Sequence, residues 1–201
     1  MTNEVFVHPQ AINESAEVGP GTRIWAFAHV MKRAVVGARC NIGDHAFIER
    51  GARIGNGVII KNGVAVWEGV VLEDGVFAGP FAVFTNDRFP RSRAGGYATR
   101  RYADKRWLEP TVVREGATLG ANCTVMCGAV IGRFAMVAAN AFVRGRVPDF
   151  ALVAGTPARI IGHVCACGLR LPPAGELRCG DCGLEYERAG EGLRMKEGRR
   201  T

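Results

Sequence analysis

Large apolar side chains recur along this chain every six residues. Counted from Ile12, the series runs Val18, Ile24, Val30, Val36, Ile42, Ile48, Ile54, Ile60, Val66, Leu72, Ala78 and Phe84, with Ala78 the only small member. Glycine follows directly at Gly19, Gly37, Gly43, Gly55 and Gly79. The rhythm then goes silent and resumes one residue out of phase at Val113, Leu119, Val125, Ile131, Val137 and Val143, with Gly120 and Gly132 again following. A helical apolar stripe recurs at about 3.6 residues and a half-buried strand of a sandwich at 2, so neither explains a period of six. A short strand, a turn that glycine eases and another strand, wound as a solenoid, does. Three such strands close a triangular coil of roughly 18 residues, which gives about four coils before the silence and about two after it. Aliphatic ladders then fill the interior, and each coil bonds to the next at about 4.8 Å. The reading is an all-β parallel β-helix over 1–162, a loop inserted at about 85–110, and a Cys-rich tail over 163–201.

Composition fits that reading. The chain has 201 residues, 48% of them hydrophobic, and its 27 glycines against few aromatics suit many turns around a core of small aliphatics. No apolar run approaches the ~20 residues of a membrane span. The start, MTNEVFVHPQ, has neither a basic nor an apolar leader region, so a cytoplasmic protein without membrane insertion is expected. The net charge of +7 gathers in the loop and at the C-terminus rather than in a stripe, which favours small polyanions over nucleic acid as partners.

The silent stretch carries the candidate chemistry. From Arg88 to Arg106 it holds seven basic residues and one acid, Asp104. Solenoid faces are flat, so a pocket has to come from an insertion, here an arm expected to close over an anionic substrate. Residues 18 apart stack in neighbouring coils, which puts Asn86 beside Glu68 and continues the column through Arg50 and Lys32.

The Leu/Ile/Val-Gly-x-x-x-x pattern and the closing VPDFALVAGTPARIIG resemble the hexapeptide-repeat acyltransferases. The resemblance covers residues 8 to 163 and implies a left-handed β-helix, a homotrimer with sites between subunits, and acetyl-CoA as the acyl donor. VFTNDRFPRS, IWAFAHV and EDGVFAGP are similar to the subgroup that N-acetylates the 3-amino group of nucleotide-linked sugars, UDP-3-amino-glucuronate in one branch and dTDP-3-amino-3,6-dideoxyhexoses in another. That family places its loop asparagine near the reacting amine, a role implied for Asn86. Glu68 or Asp87 joins it as proton acceptor or substrate anchor, with Asp87, Arg88, Arg91, His29 and Trp67 as substrate contacts. The resemblance further implies that the backbone at Ala138, Ala139 and Asn140 holds the pantetheine arm, and that Arg159 meets a coenzyme phosphate. The four histidines (His8, His29, His45 and His163) all lie outside the loop and the repeats after it. An amine attacks without the histidine base that a sugar hydroxyl needs, so N-acetylation is favoured. The alternatives are an O-acetyltransferase using His29 or His45 as base, and a non-catalytic nucleotide-sugar-binding scaffold. A γ-type carbonic anhydrase is excluded, because three histidines do not converge.

In the tail, Cys165 and Cys167 form one knuckle and Cys179 and Cys182 another, each followed by glycine. Four thiolates so spaced suit a structural zinc ribbon. Cys40, Cys123 and Cys127 fall within the repeats and read as packing residues. The last stretch, RMKEGRRT, reads as a frayed basic end.

Overall fold

A computed structural model describes residues 4–93 and 96–196. The remaining residues, including the end of the basic terminal stretch and two positions of the loop, lie outside the described ones. Short strands stack into three parallel sheets that form the faces of a triangular prism. The first sheet begins at Phe6–Val7, continues through Arg23–Ile24, Asn41–Ile42, Ile59–Ile60, Phe77–Ala78, Thr118–Leu119 and Met136–Val137, and reaches Ala151–Gly155. Ala158–His163 adds to it as an antiparallel last strand. The second sheet runs from Ile12–Asn13 to Phe142–Val143, and the third from Val35–Val36 to Arg146–Val147.

The register is the sequence period made visible. Arg23 pairs with Asn41, Asn41 with Ile59 and Ile59 with Phe77, 18 residues apart each time. Phe77 then pairs with Thr118, so the insertion is looped out without breaking the stack. The first rung, Phe6 with Arg23, lies one strand ahead of the expected start at Ile12. From Ile24 onward the inward residue of the rungs is buried, as at Ile24, Ile42, Ile60, Leu119 and Val137, whereas Val7 and Ile12 at the open end are exposed. Each buried side chain contributes about 1.5–3 kcal/mol of burial.

The turns differ from the sequence reading in one respect. Left-handed backbone falls three residues after the ladder position from Gly21 through Phe27, Arg33, Arg39, His45 and Gly51 to Phe81, and again from Gly116 to Asn140. The glycine directly after a ladder residue serves another end, close approach of coils. A Cβ built on Gly37 would sit 2.5 Å from the Gly55 carbonyl carbon. Corner amides that the strand ladders leave over find side-chain acceptors instead: Asn56 N–H donates to Asp74 at 2.7 Å, Glu68 N–H to Glu49 at 2.7 Å, and Cys127 N–H to Thr85 at 2.9 Å.

The tail packs on the last coil through rings. Phe134 stacks on Phe150 at 5.3 Å, and Phe150 meets Tyr186 edge-on at 5.1 Å. Around them a second core forms from Phe150, Cys165, Leu171, Cys179, Tyr186 and Leu193. The tail's own hairpin pairs Tyr186–Ala189 with Gly192–Met195.

Candidate active site

The insertion leaves the prism at the corner between the second and third sheets, after Val83–Phe84, and returns at Thr111–Val113. Its neck is closed by an antiparallel bridge between Asp87 and Leu108 and by Glu109 N–H donating to the Asn86 carbonyl at 3.0 Å. Asn86 lies beside Glu68 as the stacking rule requires, its Nδ2 donating to the Glu68 carbonyl at 3.3 Å. Among the described residues nothing donates to its Oδ1. The Glu68 carboxylate is ion-paired with Lys105, so the loop folds back onto the column it grew from.

Asp87 is the hub of the insertion. Its side chain is only 9% exposed and receives the Tyr102 hydroxyl at 2.7 Å, the Phe89 N–H at 2.9 Å and the Arg101 guanidinium. Burial would raise its pKa, but Tyr102, Phe89 and Arg101 together hold it below the usual carboxylate value. The Arg93 and Arg101 guanidinium groups flank the Tyr102 ring at 5.3 and 5.7 Å, and Trp107 meets it edge-on at 5.6 Å. Arg88 makes a forked contact to Glu109, at 2.9 Å from Nε and 2.6 Å from Nη2, which holds the Glu109 carboxyl below its usual range. The Arg91 side chain is exposed, while its N–H donates to Tyr102 at 2.9 Å. Sequence reasoning found the basic charge of the loop but missed Tyr102, Arg101 and Glu109 as its internal partners. Only the acidic flank at Glu109 gave a signal.

His29 and Trp67 lie off this neck. His29 sits on the second sheet, 3.4 Å from Glu14 and edge-on to Phe47 at 5.5 Å. Trp67 precedes Glu68 at the corner; its indole N–H donates to the Phe84 carbonyl at 2.9 Å and its ring packs near Phe47 at 5.6 Å. Ala138, Ala139 and Asn140 occupy a different corner, between the first and second sheets. There the Ala138 N–H donates to Val153 and the Asn140 N–H to Ala121. Arg159 projects from the antiparallel last strand. One chain therefore brings Asn86, Glu68, Asp87 and Arg88 together, and it keeps them apart from Ala138–Asn140.

In the tail the four sulfurs of Cys165, Cys167, Cys179 and Cys182 all lie within 4.8 Å of one another. The Cys165–Cys182 pair is at 3.3 Å and Cys167–Cys179 at 3.6 Å. Tetrahedral zinc with ~2.3 Å bonds sets its sulfurs about 3.8 Å apart, so the donor set fits. Burial pushes the Cys165 thiol up to about 12, whereas N–H groups of Cys182 and Asp181 bring Cys179 down to about 6.

The chain is thus a stacked three-strand prism with a clamped polar insertion at one corner, and comparison with known proteins gives its class. Residues 15–50 match the family described as bacterial transferase hexapeptide (six repeats), and residues 33–68 and 110–144 match the hexapeptide repeat of succinyl-transferase. The dTDP-3-amino-3,6-dideoxy-alpha-D-galactopyranose 3-N-acetyltransferase of Aneurinibacillus thermoaerophilus is 45% identical over 184 residues, 92% of this chain and 91% of that one. The chain belongs to the hexapeptide-repeat acyltransferases, among the sugar N-acetyltransferases. Among solved structures, the acetyltransferase domain of PglB from Neisseria gonorrhoeae with acetyl coenzyme A aligns with TM-score 0.49 and 20% identity, over 80% of this chain and 58% of that one. AntD, an N-acyltransferase from Bacillus cereus with dTDP and coenzyme A, aligns with TM-score 0.47 and 17% identity, over 80% and 81%. Among the described residues no helix is long and apolar enough to cross a membrane.

Proposed function

We propose that the protein transfers acetyl from acetyl-CoA to the 3-amino group of a dTDP-linked 3-amino-3,6-dideoxyhexose. The near full-length similarity to an enzyme named for that reaction carries this reading. The UDP-3-amino-glucuronate branch is the second candidate. The amine nitrogen attacks the thioester carbonyl, the C–N bond forms, the C–S bond breaks, and the coenzyme leaves as thiolate. The amine loses one proton in the process. Asn86 suits the orienting role because its Nδ2 is tied to Glu68 and its Oδ1 is left to accept from the amine. Glu68, an anion beside Lys105, is the acceptor for the released proton or the anchor for the sugar. Asp87 and Arg88 set the shape of the neck, and Arg91 offers its guanidinium to the diphosphate. His29 and Trp67 border the same sheet as outer contacts. Ala138, Ala139 and Asn140 would hold the pantetheine arm and Arg159 a coenzyme phosphate.

Two corners of one prism cannot meet each other, so this reading requires a neighbouring subunit, and a homotrimer supplies it. A structural zinc at Cys165, Cys167, Cys179 and Cys182 completes the cofactor set.

Thiol release from acetyl-CoA, offered in parallel with dTDP-linked 3-amino-hexoses and UDP-linked 3-amino-glucuronate, tests the reading. Turnover with the dTDP substrate and its loss in Asn86→Ala is the expected result. Measurable coenzyme binding with no turnover on any amino sugar would turn the assignment to hydroxyl acceptors.

A further inference from the structure

Between the end of the third sheet and the antiparallel last strand lies a cavity of about 300 Å³. Arg144, Arg146 and Arg159 line it together with Pro148, Val153 and Glu191. Elsewhere Arg88, Arg101, Arg106, Arg133 and Arg194 each face a carboxylate. Among the described residues Arg144, Arg146 and Arg159 have no such partner. Three guanidinium groups without a carboxylate partner, against the single acid Glu191 and with Arg159 Nη1 donating to the Ala158 carbonyl at 3.0 Å, make a receptor for a phosphorylated polyanion, since each fork matches phosphate oxygens.

The opposite wall is not part of the solenoid. Glu191 sits at the turn of the tail hairpin, and the Glu191 carbonyl lies 3.0 Å from His163 Nε2. The next residues press on the last corner: Leu193 N–H donates to the Asp149 carbonyl at 3.1 Å, and a Cβ on Gly192 would lie 2.7 Å from that same oxygen. The hairpin in turn hangs on the cysteine cluster. The Tyr186 hydroxyl lies 3.0 Å from Cys165 Sγ and accepts the Ala166 N–H at 2.9 Å. A segment this short, with so few buried apolar groups, generally needs a metal or disulfides to fold, and its cysteines are all unbridged.

We propose that zinc bound by the tail holds one wall of the arginine cavity in place, and that the cavity takes the phosphate-bearing end of the acetyl donor. Metal loading and coenzyme affinity are then coupled. The coupling rests on the acetyl-CoA reading but adds to it, because it makes the cysteine tail part of the donor site. It is also reciprocal: bound coenzyme slows the loss of metal to a chelator.

The test uses the whole chain, with zinc per chain measured by atomic emission and affinity for coenzyme A and for adenosine 3′,5′-bisphosphate by calorimetry. Zinc-loaded, chelator-stripped and reloaded protein are compared, with a thermal melt confirming that the stripped solenoid stays folded. About one zinc per chain is expected, with affinity falling roughly tenfold on stripping and returning on reloading. Arg146→Ala keeps its zinc, binds both ligands about tenfold more weakly, and no longer responds to stripping. Absence of zinc, equal affinity in loaded and stripped protein, or unchanged binding by Arg146→Ala overturns the coupling while acetyl transfer stands. Failure of every form to bind coenzyme overturns both.

Discussion

Asn86 and Asp87 are neighbours in sequence with opposite surroundings. Among the described residues Asn86 keeps an acceptor atom unused at a half-buried corner, whereas both carboxylate oxygens of Asp87 are engaged. Removing the Asn86 amide is expected to lower kcat on the order of a hundredfold with a smaller change in KM, as follows from losing alignment of the reacting group. Steady-state kinetics of Asn86→Ala checks this, and a change confined to KM would return Asn86 to a binding role. Asp87→Asn keeps the shape but loses the charge that holds Arg101, so it is expected to loosen the whole insertion. The pH dependence follows in sign. The folded pKa of Asp87 lies below its usual 3.8, so the clamp contributes fully above that value and is lost as pH falls through the lower, folded one. Hydrogen exchange at loop amides such as Phe89 should therefore stay protected from pH 7 down to about 4 and rise below it. Exchange that rises near pH 6 would point to a group other than this carboxylate.

At the scale of the element, the coil has two kinds of glycine, and substitution separates them. Gly37 faces the backbone of the next coil with no room for a methyl, so Gly37→Ala should destabilise by about 1–3 kcal/mol and lower Tm by several degrees. Gly57 has left-handed φ and open space around its Cβ position. Asn122 and Asn140 already occupy equivalent left-handed corners, so Gly57→Asn should leave Tm nearly unchanged. A thermal melt of both variants reads the difference, and equal losses would mean that the turn and not the coil spacing limits both sites. The aliphatic rungs follow packing rules: Ile48→Ala, fully buried, is expected to cost about 2–5 kcal/mol.

For the whole molecule, the placement of the two half-sites is decisive. The clamped insertion and the Ala138–Asn140 corner lie on different edges of the prism, so under the proposed function a lone chain holds only half of the site at each edge. Light scattering is expected to give a trimer. Mixing Asn86→Ala with an Arg159→Ala chain should restore part of the activity if the two half-sites come from different subunits. A monomer with full activity would show instead that one prism suffices. The basic character of the molecule also changes meaning at this scale. Arg88 and Arg101 are spent on Glu109 and Asp87 inside the insertion, while among the described residues Arg91 and the cavity arginines face no carboxylate within ion-pair distance.

The six-residue apolar count by itself determined the solenoid, its 18-residue coil, the position of the insertion and the stacking of Asn86 on Glu68, because a one-dimensional repeat maps sequence spacing directly onto space. The cysteine spacing likewise announced a four-sulfur cluster. Sequence spacing did not reveal which glycines carry left-handed backbone and which stand where coils touch, since the first is set by the turn geometry and the second by how closely one coil lies on the next. Nor did it reveal that Tyr102 and Glu109 hold Asp87 and Arg88, or that the tail hairpin walls an arginine cavity. Those contacts join residues across an aperiodic loop and across two cores, where no spacing rule applies and only the packed chain brings the atoms together.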